Sequence, residues 1–237
     1  MDTVGFMVAY QNRLSCLGSP DVDGKWLLNG YTSKGAVSGH LQHGDGMLSI
    51  GCQGELPRGT TLCFAPAFSI NPPYLTSPYL DNRLGVWVAL QLCQSLQNGA
   101  ISFTTHEEHR GGTAQNMARI LFETYGTNQA LVCDITWVTD GVIHGGGVAI
   151  SLKDSYVPRK TFTDKIVSLA EASGIPYQLE VEHSGGSDGS TLQACPYPVD
   201  WCFVGAPERH AHSPRETVHL HDVESMLAMY KYLMEHL

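Results

Sequence analysis

The chain has 237 residues, a formal net charge of −9 and seven cysteines. That length can bury one good core with room for a small second module, while the acidic balance repels phosphate backbones and excludes nucleic acid as an expected partner. No apolar run is long enough to cross a membrane, no signal-peptide pattern opens the chain, and scattered cysteines without a CxxC pair read as reduced thiols of a cytoplasmic protein.

Residues 9–72 are turn-rich, with short β-type runs at 25–28, 36–39, 47–50 and 61–64 and glycine near most junctions. Short strands at such spacing predict a small barrel or sandwich. Pro72-Pro73 and Pro78 mark an exit linker. From Asp81 the pattern alternates. Leu84, Val88 and Leu92 predict a helix over 84–96, and 101–105 is a β-branched run that predicts a strand. A helix over 114–125 stops at Gly126. Strands follow at 130–133, ending at Asp134, and at 147–152. A helix over 163–172 ends near Gly174, a strand covers 177–181, and 186–193 turns into a short helix. A last strand at 199–204 precedes a closing helix over 223–237 with Asp222 as its N-cap. This alternation implies a three-layer α/β domain.

The acids and histidines gather at the predicted strand ends. Glu107 and Glu108 close the 101–105 run, Asp134 ends the next strand, and Asp81 stands just before a helix. Asp188 lies in Gly185-Gly186-Ser187-Asp188, and His212 lies in Arg209-His210-Ala211-His212-Ser213-Pro214. Strand C-termini of an open α/β sheet share one edge, and that edge carries the site. Two adjacent carboxylates repel unless something positive is near, and strand alternation sends them to different jobs. Oxygen ligands with imidazole suit zinc, manganese or cobalt. One Asp between two metals gives two-metal hydrolysis, with a neighbouring Glu to take a proton from water.

Other features read as structure. Asp21-Val22-Asp23-Gly24 lacks the downstream glutamate of a calcium loop and reads as a β-turn. Gly145-Gly146-Gly147 has no following Lys-Ser/Thr, so a turn replaces a phosphate loop. No Gly-x-Ser-x-Gly elbow occurs. His106, His109 and His210 flank the motifs as surface or supporting groups. Asp188 either shapes its loop or contacts substrate.

The segments Tyr79-Leu80-Asp81-Asn82-Arg83, Thr105-His106-Glu107-Glu108, Leu131-Val132-Cys133-Asp134-Ile135-Thr136, Gly185-Gly186-Ser187-Asp188 and 209–214 together resemble the dinuclear metallo-aminopeptidases of the glutamyl and tetrahedral type. Met1-Asp2-Thr3-Val4-Gly5-Phe6-Met7-Val8 is similar to the segment that follows this family's first metal histidine. The resemblance implies a three-layer α/β/α zinc-peptidase-like catalytic domain over 1–8 and 73–237, with 9–72 as a small inserted β-barrel-like module. It implies that Asp81 bridges two metals, Glu108 and Asp134 are terminal ligands, His212 binds the metal opposite Asp134, and Glu107 is the general base. Zinc is the expected ion, with cobalt or manganese as alternatives. Short peptides are the expected substrates and a homo-oligomer the expected assembly, with no membrane partner.

The pattern departs from the family in two places. The family's first metal histidine would stand immediately before Met1, so one strong site (Asp81, Glu108, His212) and one weak or empty site (Asp81, Asp134) are expected, with His109 and His144 as substitutes. Arg110 stands where the family has glycine. Three readings stay open: a hydrolase, an impaired homologue that binds metal or peptide, and a structural subunit assembling through the β module.

Overall fold

The computed structural model describes residues 3–109 and 111–237. Met1, Asp2 and Arg110, named above for the first-histidine segment and for the departure from glycine, lie outside the described residues.

The first sheet is built from β1 (Gly5–Val8), β2 (Leu14–Leu17), β3 (Leu27–Thr32), β4 (Gly35–Gly44), β5 (Met47–Gly51) and β6 (Thr61–Phe64), in the order β2-β1-β6-β3-β4-β5. All its pairs are antiparallel. Its two edges meet: Arg13 bridges to Ser49, and the Ile50 N–H donates to the Asn12 carbonyl at 2.9 Å. The sheet is therefore nearly a closed barrel. Alternate residues point inward, so Phe6, Leu28, Leu41, Leu62 and Phe64 are almost wholly buried. Asp45-Gly46 joins β4 to β5 with both φ values positive, +50° and +73°, as a two-residue hairpin turn requires.

The second sheet contains β7 (Ser69–Asn71), β8 (Tyr74–Thr76), β9 (Gln129–Trp137), β10 (Val148–Lys153), β11 (Tyr177–Val181), β12 (Asp200–Arg209) and β13 (Thr217–His219). Its order is β11-β10-β12-β13-β8-β7, with β9 parallel to β12 along its length. Helices α1 (Leu80–Leu92), α3 (Lys160–Ser173) and α5 (Leu220–His236) cover one face, and α2 (Ala114–Tyr125) and α4 (Asp188–Ala194) cover the other. The alternation of β12 shows why. Cys202, Val204 and Ala206 join the core beneath α1, α3 and α5, while Trp201 and Phe203 join the core beneath α2 and α4. At about 1.5–3 kcal/mol per fully buried large apolar side chain, these two cores hold the three layers together. The α/β/α architecture with a barrel-like sheet agrees with the sequence reading.

Several expectations need correction. Gly5–Val8, expected with the catalytic domain, is hydrogen-bonded into the barrel-like sheet between β2 and β6. Pro72-Pro73 is no exit linker; it turns the β7–β8 hairpin, which pairs with β13. Residues 101–105 form no strand, because no neighbour among the described residues supplies ladder hydrogen bonds, and β propensity needs such a partner. The regular part of helix α1 follows Asp81 and Asn82, whose angles are non-helical, and the helix ends at Leu92 rather than at 96. His219, not Asp222, caps α5: its side chain accepts the His221 N–H. Asp222 is fully buried and instead accepts the Gly145 and Gly147 amides, each at 2.8 Å.

Candidate metal centre

Three loops converge at one end of the second sheet. Asp81 is held at the start of α1, where its N–H donates to Glu216 Oε2 at 3.1 Å. The next residue bolts the helix to β9: Asn82 Nδ2 donates to the Cys133 carbonyl at 2.7 Å, and its Oδ1 accepts the Gly85 N–H. Gly85 is glycine for a steric reason, since a Cβ would collide with the Cys133 carbonyl. Tyr79 ties the same segment to the barrel, its ring stacked on Phe64 and its hydroxyl accepting the Phe64 N–H at 2.6 Å.

Glu107 and Glu108 sit in a single 3-10 turn, Glu107–His109, rather than at a strand end. Strand alternation therefore does not separate them; the tight turn does. The segment is closed by Thr105 and Thr113: the Thr105 N–H donates to Thr113 Oγ1 at 3.0 Å, and the Thr113 N–H donates to the Thr105 carbonyl at 3.1 Å. His212, with φ of +61°, is carried on the loop that follows β12.

Of the five residues to which the resemblance gives a role, three come together. His212 Nε2 lies 3.2 Å from Asp81 Oδ2 and 3.3 Å from Glu108 Oε2, and the three ligand atoms lie within 4.8 Å of one another. Asp134 and Glu107 stand beside this group without joining it. Asp134 is buried on β9, where its Oδ1 accepts the Ile135 N–H at 2.8 Å. Of the proposed substitutes, His109 Nε2 donates to the Thr3 carbonyl at 3.2 Å, and His144 packs against Tyr74 and His219. Neither joins the group.

The electrostatics are those of crowded acids around one imidazole. Burial, then the charges of Glu108, Asp81 and Asp188, push the Glu107 carboxyl up to about 8, with His212 opposing. Burial and the charges of Asp81 and Glu107 hold Asp134 well above the usual carboxylate range. Burial lowers the His212 value, but hydrogen bonds and charges from Asp81 and Glu108 outweigh it and push it up to about 11. Sequence reasoning missed a second buried pair, Glu208 and Glu216. Burial raises both; the charge of Glu216 adds to the rise of Glu208, and the charge of Asp81 adds to that of Glu216, which is pushed up to about 8. Glu208 was detectable as the single acid ending the apolar run 201–207 of β12.

A divalent cation fits this donor set. Glu108 Oε1 is buried without a hydrogen-bond partner, and nitrogen and oxygen donors at this spacing suit zinc. Among the described residues, His212 is the charge that opposes the repulsion felt by Glu107 and Glu216. Beside the group opens a cavity of about 890 Å³, with Asp81, Glu107, Glu108, Asp134 and Asp188 in its lining and Val86, Phe103, Met117 and Leu121 along apolar walls. Its size and mixed lining are those of a small-ligand site.

An α/β/α fold with a carboxylate–histidine group at one end of the second sheet defines the zinc-peptidase-like class. The pattern of the M42 glutamyl aminopeptidases matches residues 53–229, and the chain belongs to that family. Peptidases of this family are metal-dependent, in keeping with the three-residue group. A protein of Acetivibrio thermocellus, provisionally named an aminopeptidase, is 27% identical over 183 residues. That match takes in 72% of this chain, which spans about half (54%) of the relative's length. An aminopeptidase from the archaeon Desulfurococcus kamchatkensis superposes with a TM-score of 0.86 at 22% identity, covering 100% of this chain and 78% of that one. The TET1 peptidase of Pyrococcus horikoshii, which can assemble into a tetrahedron or a large octahedral shell, superposes at 0.80 with 24% identity, covering 100% and 82%. These likenesses show the fold.

Proposed function

We propose that the chain is a metal-dependent aminopeptidase that hydrolyses short peptides, with zinc as the preferred ion. The convergence of Asp81, Glu108 and His212 within 4.8 Å carries this reading. Asp81, Glu108 and His212 would hold a tighter ion, and Asp81 with Asp134 would hold a weaker one. That Asp134 stands outside the group of three supports one strong position and one weak one. A bound divalent ion supplies positive charge that polarises the scissile carbonyl and acidifies water.

The chain's own groups do the rest. Glu107 takes the proton from the attacking water at its carboxylate and delivers it to the leaving amine. The apolar cavity walls receive the substrate's side chains. Cytoplasmic location and assembly into a homo-oligomer belong to the same proposal. The cysteines, none of them disulfide-bonded, support the first, and the assemblies formed by the TET1 peptidase support the second.

The test is Glu107→Gln assayed on an aminoacyl 4-nitroanilide in the presence of zinc. Hydrolysis should fall by about 10²–10⁴-fold, the usual contribution of a general base, while zinc content and folding stay unchanged. Equal activity in the variant removes Glu107 from its role. A wild-type chain inert with zinc, manganese and cobalt favours a binding homologue.

A further inference from the structure

The barrel-like sheet reaches the candidate metal centre through the loop between β2 and β3. His212 Nδ1 lies 3.0 Å from the Ser19 carbonyl. A carbonyl only accepts, so Nδ1 carries the proton, and Nε2 presents its lone pair toward Asp81 and Glu108 when the ring is neutral. The Asp21 N–H donates to the His212 carbonyl at 2.8 Å. His212 is thus held by ring and backbone together, at a φ of +61° that a non-glycine residue rarely adopts unsupported. Gly18 meets the other ligand. Its φ is +66°, and a Cβ there would stand 2.9 Å from the Glu108 carbonyl oxygen and 3.0 Å from Val4 Cγ1. The Arg215 guanidinium lies 5.3 Å over the Trp26 ring, joining the end of the same loop to the His212 segment.

We infer that the loop over residues 18–26 is the outer support of the metal centre. The Ser19 carbonyl sets the tautomer and direction of His212, and the bare Cα of Gly18 gives the Glu108 backbone its place. Gly18 and Ser19 are positioning residues; neither side chain reaches the ion. Metal-binding histidines are held by a partner on their second ring nitrogen, and loss of that partner costs about 10–100-fold in metal affinity. Because support and binding are linked, the coupling is reciprocal: the ion orders the loop by as much as the loop strengthens the ion. This inference rests on the metal-centre reading proposed above.

The experiment compares zinc affinity, by calorimetry and by the absorption spectrum of the cobalt-substituted protein, in wild type, Gly18→Ala and Gly46→Ala. Gly46 has a φ of +73° with nothing within 4 Å of an added Cβ, so its variant carries the backbone strain without the contact. Gly18→Ala should bind zinc about 10–100-fold more weakly with an altered cobalt spectrum, and Gly46→Ala should match wild type. In the wild type, zinc should slow hydrogen exchange of the Asp21 N–H by about tenfold or more and leave the Asp45-Gly46 turn unchanged. Should Gly18→Ala fail to fold, the exchange measurement decides. Unchanged zinc affinity in a folded Gly18→Ala variant overturns the inference, as does zinc-independent exchange at Asp21. A wild-type chain that binds no zinc removes the metal-centre reading itself, and this inference with it.

Discussion

The Thr104 hydroxyl donates to the Asp188 carboxylate at 2.5 Å, joining the start of the Glu107-Glu108 segment to the first residue of α4. At the other end of that segment, Gly112 lies so close to Asp188 Oδ1 that no Cβ would fit. One half-buried carboxylate therefore lies against both ends of the turn that carries the two glutamates. Of the two readings of Asp188 left open by the sequence, loop shaping is the one these contacts support.

Thr104→Val removes the one hydrogen bond that Asp188 receives among the described residues and leaves a half-buried carboxylate without a partner. The variant should lose about 1–3 kcal/mol of stability, read as a lower urea midpoint at unchanged m-value. Thr104→Ser keeps the hydroxyl and should retain most of the stability. Equal midpoints for wild type and Thr104→Val would show that this hydrogen bond contributes nothing.

Zinc should stabilise the folded chain by mass action, by about 2.7 kcal/mol at a free concentration of about 100 times Kd. His212 is the single imidazole in the three-residue group, so His212→Ala should lose most of that increment, and a chelator should return the wild type to its metal-free melting temperature. An identical zinc-induced rise in both proteins rules His212 out as a ligand.

Glu182 offers a pH test away from the metal centre. Burial first, then the charges of Glu180 and Asp154, push its carboxyl from the ordinary 4.5 up to about 7, with Lys153 opposing. A carboxyl raised in the folded state is more readily protonated there than in the unfolded chain. Its contribution to stability is thus fully present below about pH 4.5 and is lost as pH rises through about 7. Glu182→Gln should flatten that part of the stability–pH curve. A variant whose curve between pH 4.5 and 7 overlays that of the wild type would show that Glu182 titrates normally.

Local signals were sufficient wherever an element's own residues decide its form. Helix α2 spans Ala114–Tyr125 as read from apolar spacing, with Gly126 in the left-handed conformation at its end. Strands β6 and β11 likewise match the runs from which they were read. Asp21 Oδ1 accepts the Asp23 N–H at 2.8 Å, a side-chain contact where the sequence predicted a β-turn. The failures share a cause. Residues 101–105 have strand composition, yet no neighbour pairs with them. Asp222 has cap composition, yet lies fully buried under two glycine amides 75 and 77 positions away. In each, a partner distant in the chain determined the outcome.

Most helices and strands, the family and the motifs that carry the acids and the histidine were legible along the chain, because periodicity, turn residues and motif spacing are local properties; the run 101–105 was the exception. Only the tertiary structure decided that Asp81, Glu108 and His212 meet while Asp134 stands apart, that Glu208 and Glu216 lie buried together, and that Ser19 and Asp21 hold the histidine. Those relations join residues up to 193 positions apart, and their energies depend on distance and burial in space, which order along the chain does not specify.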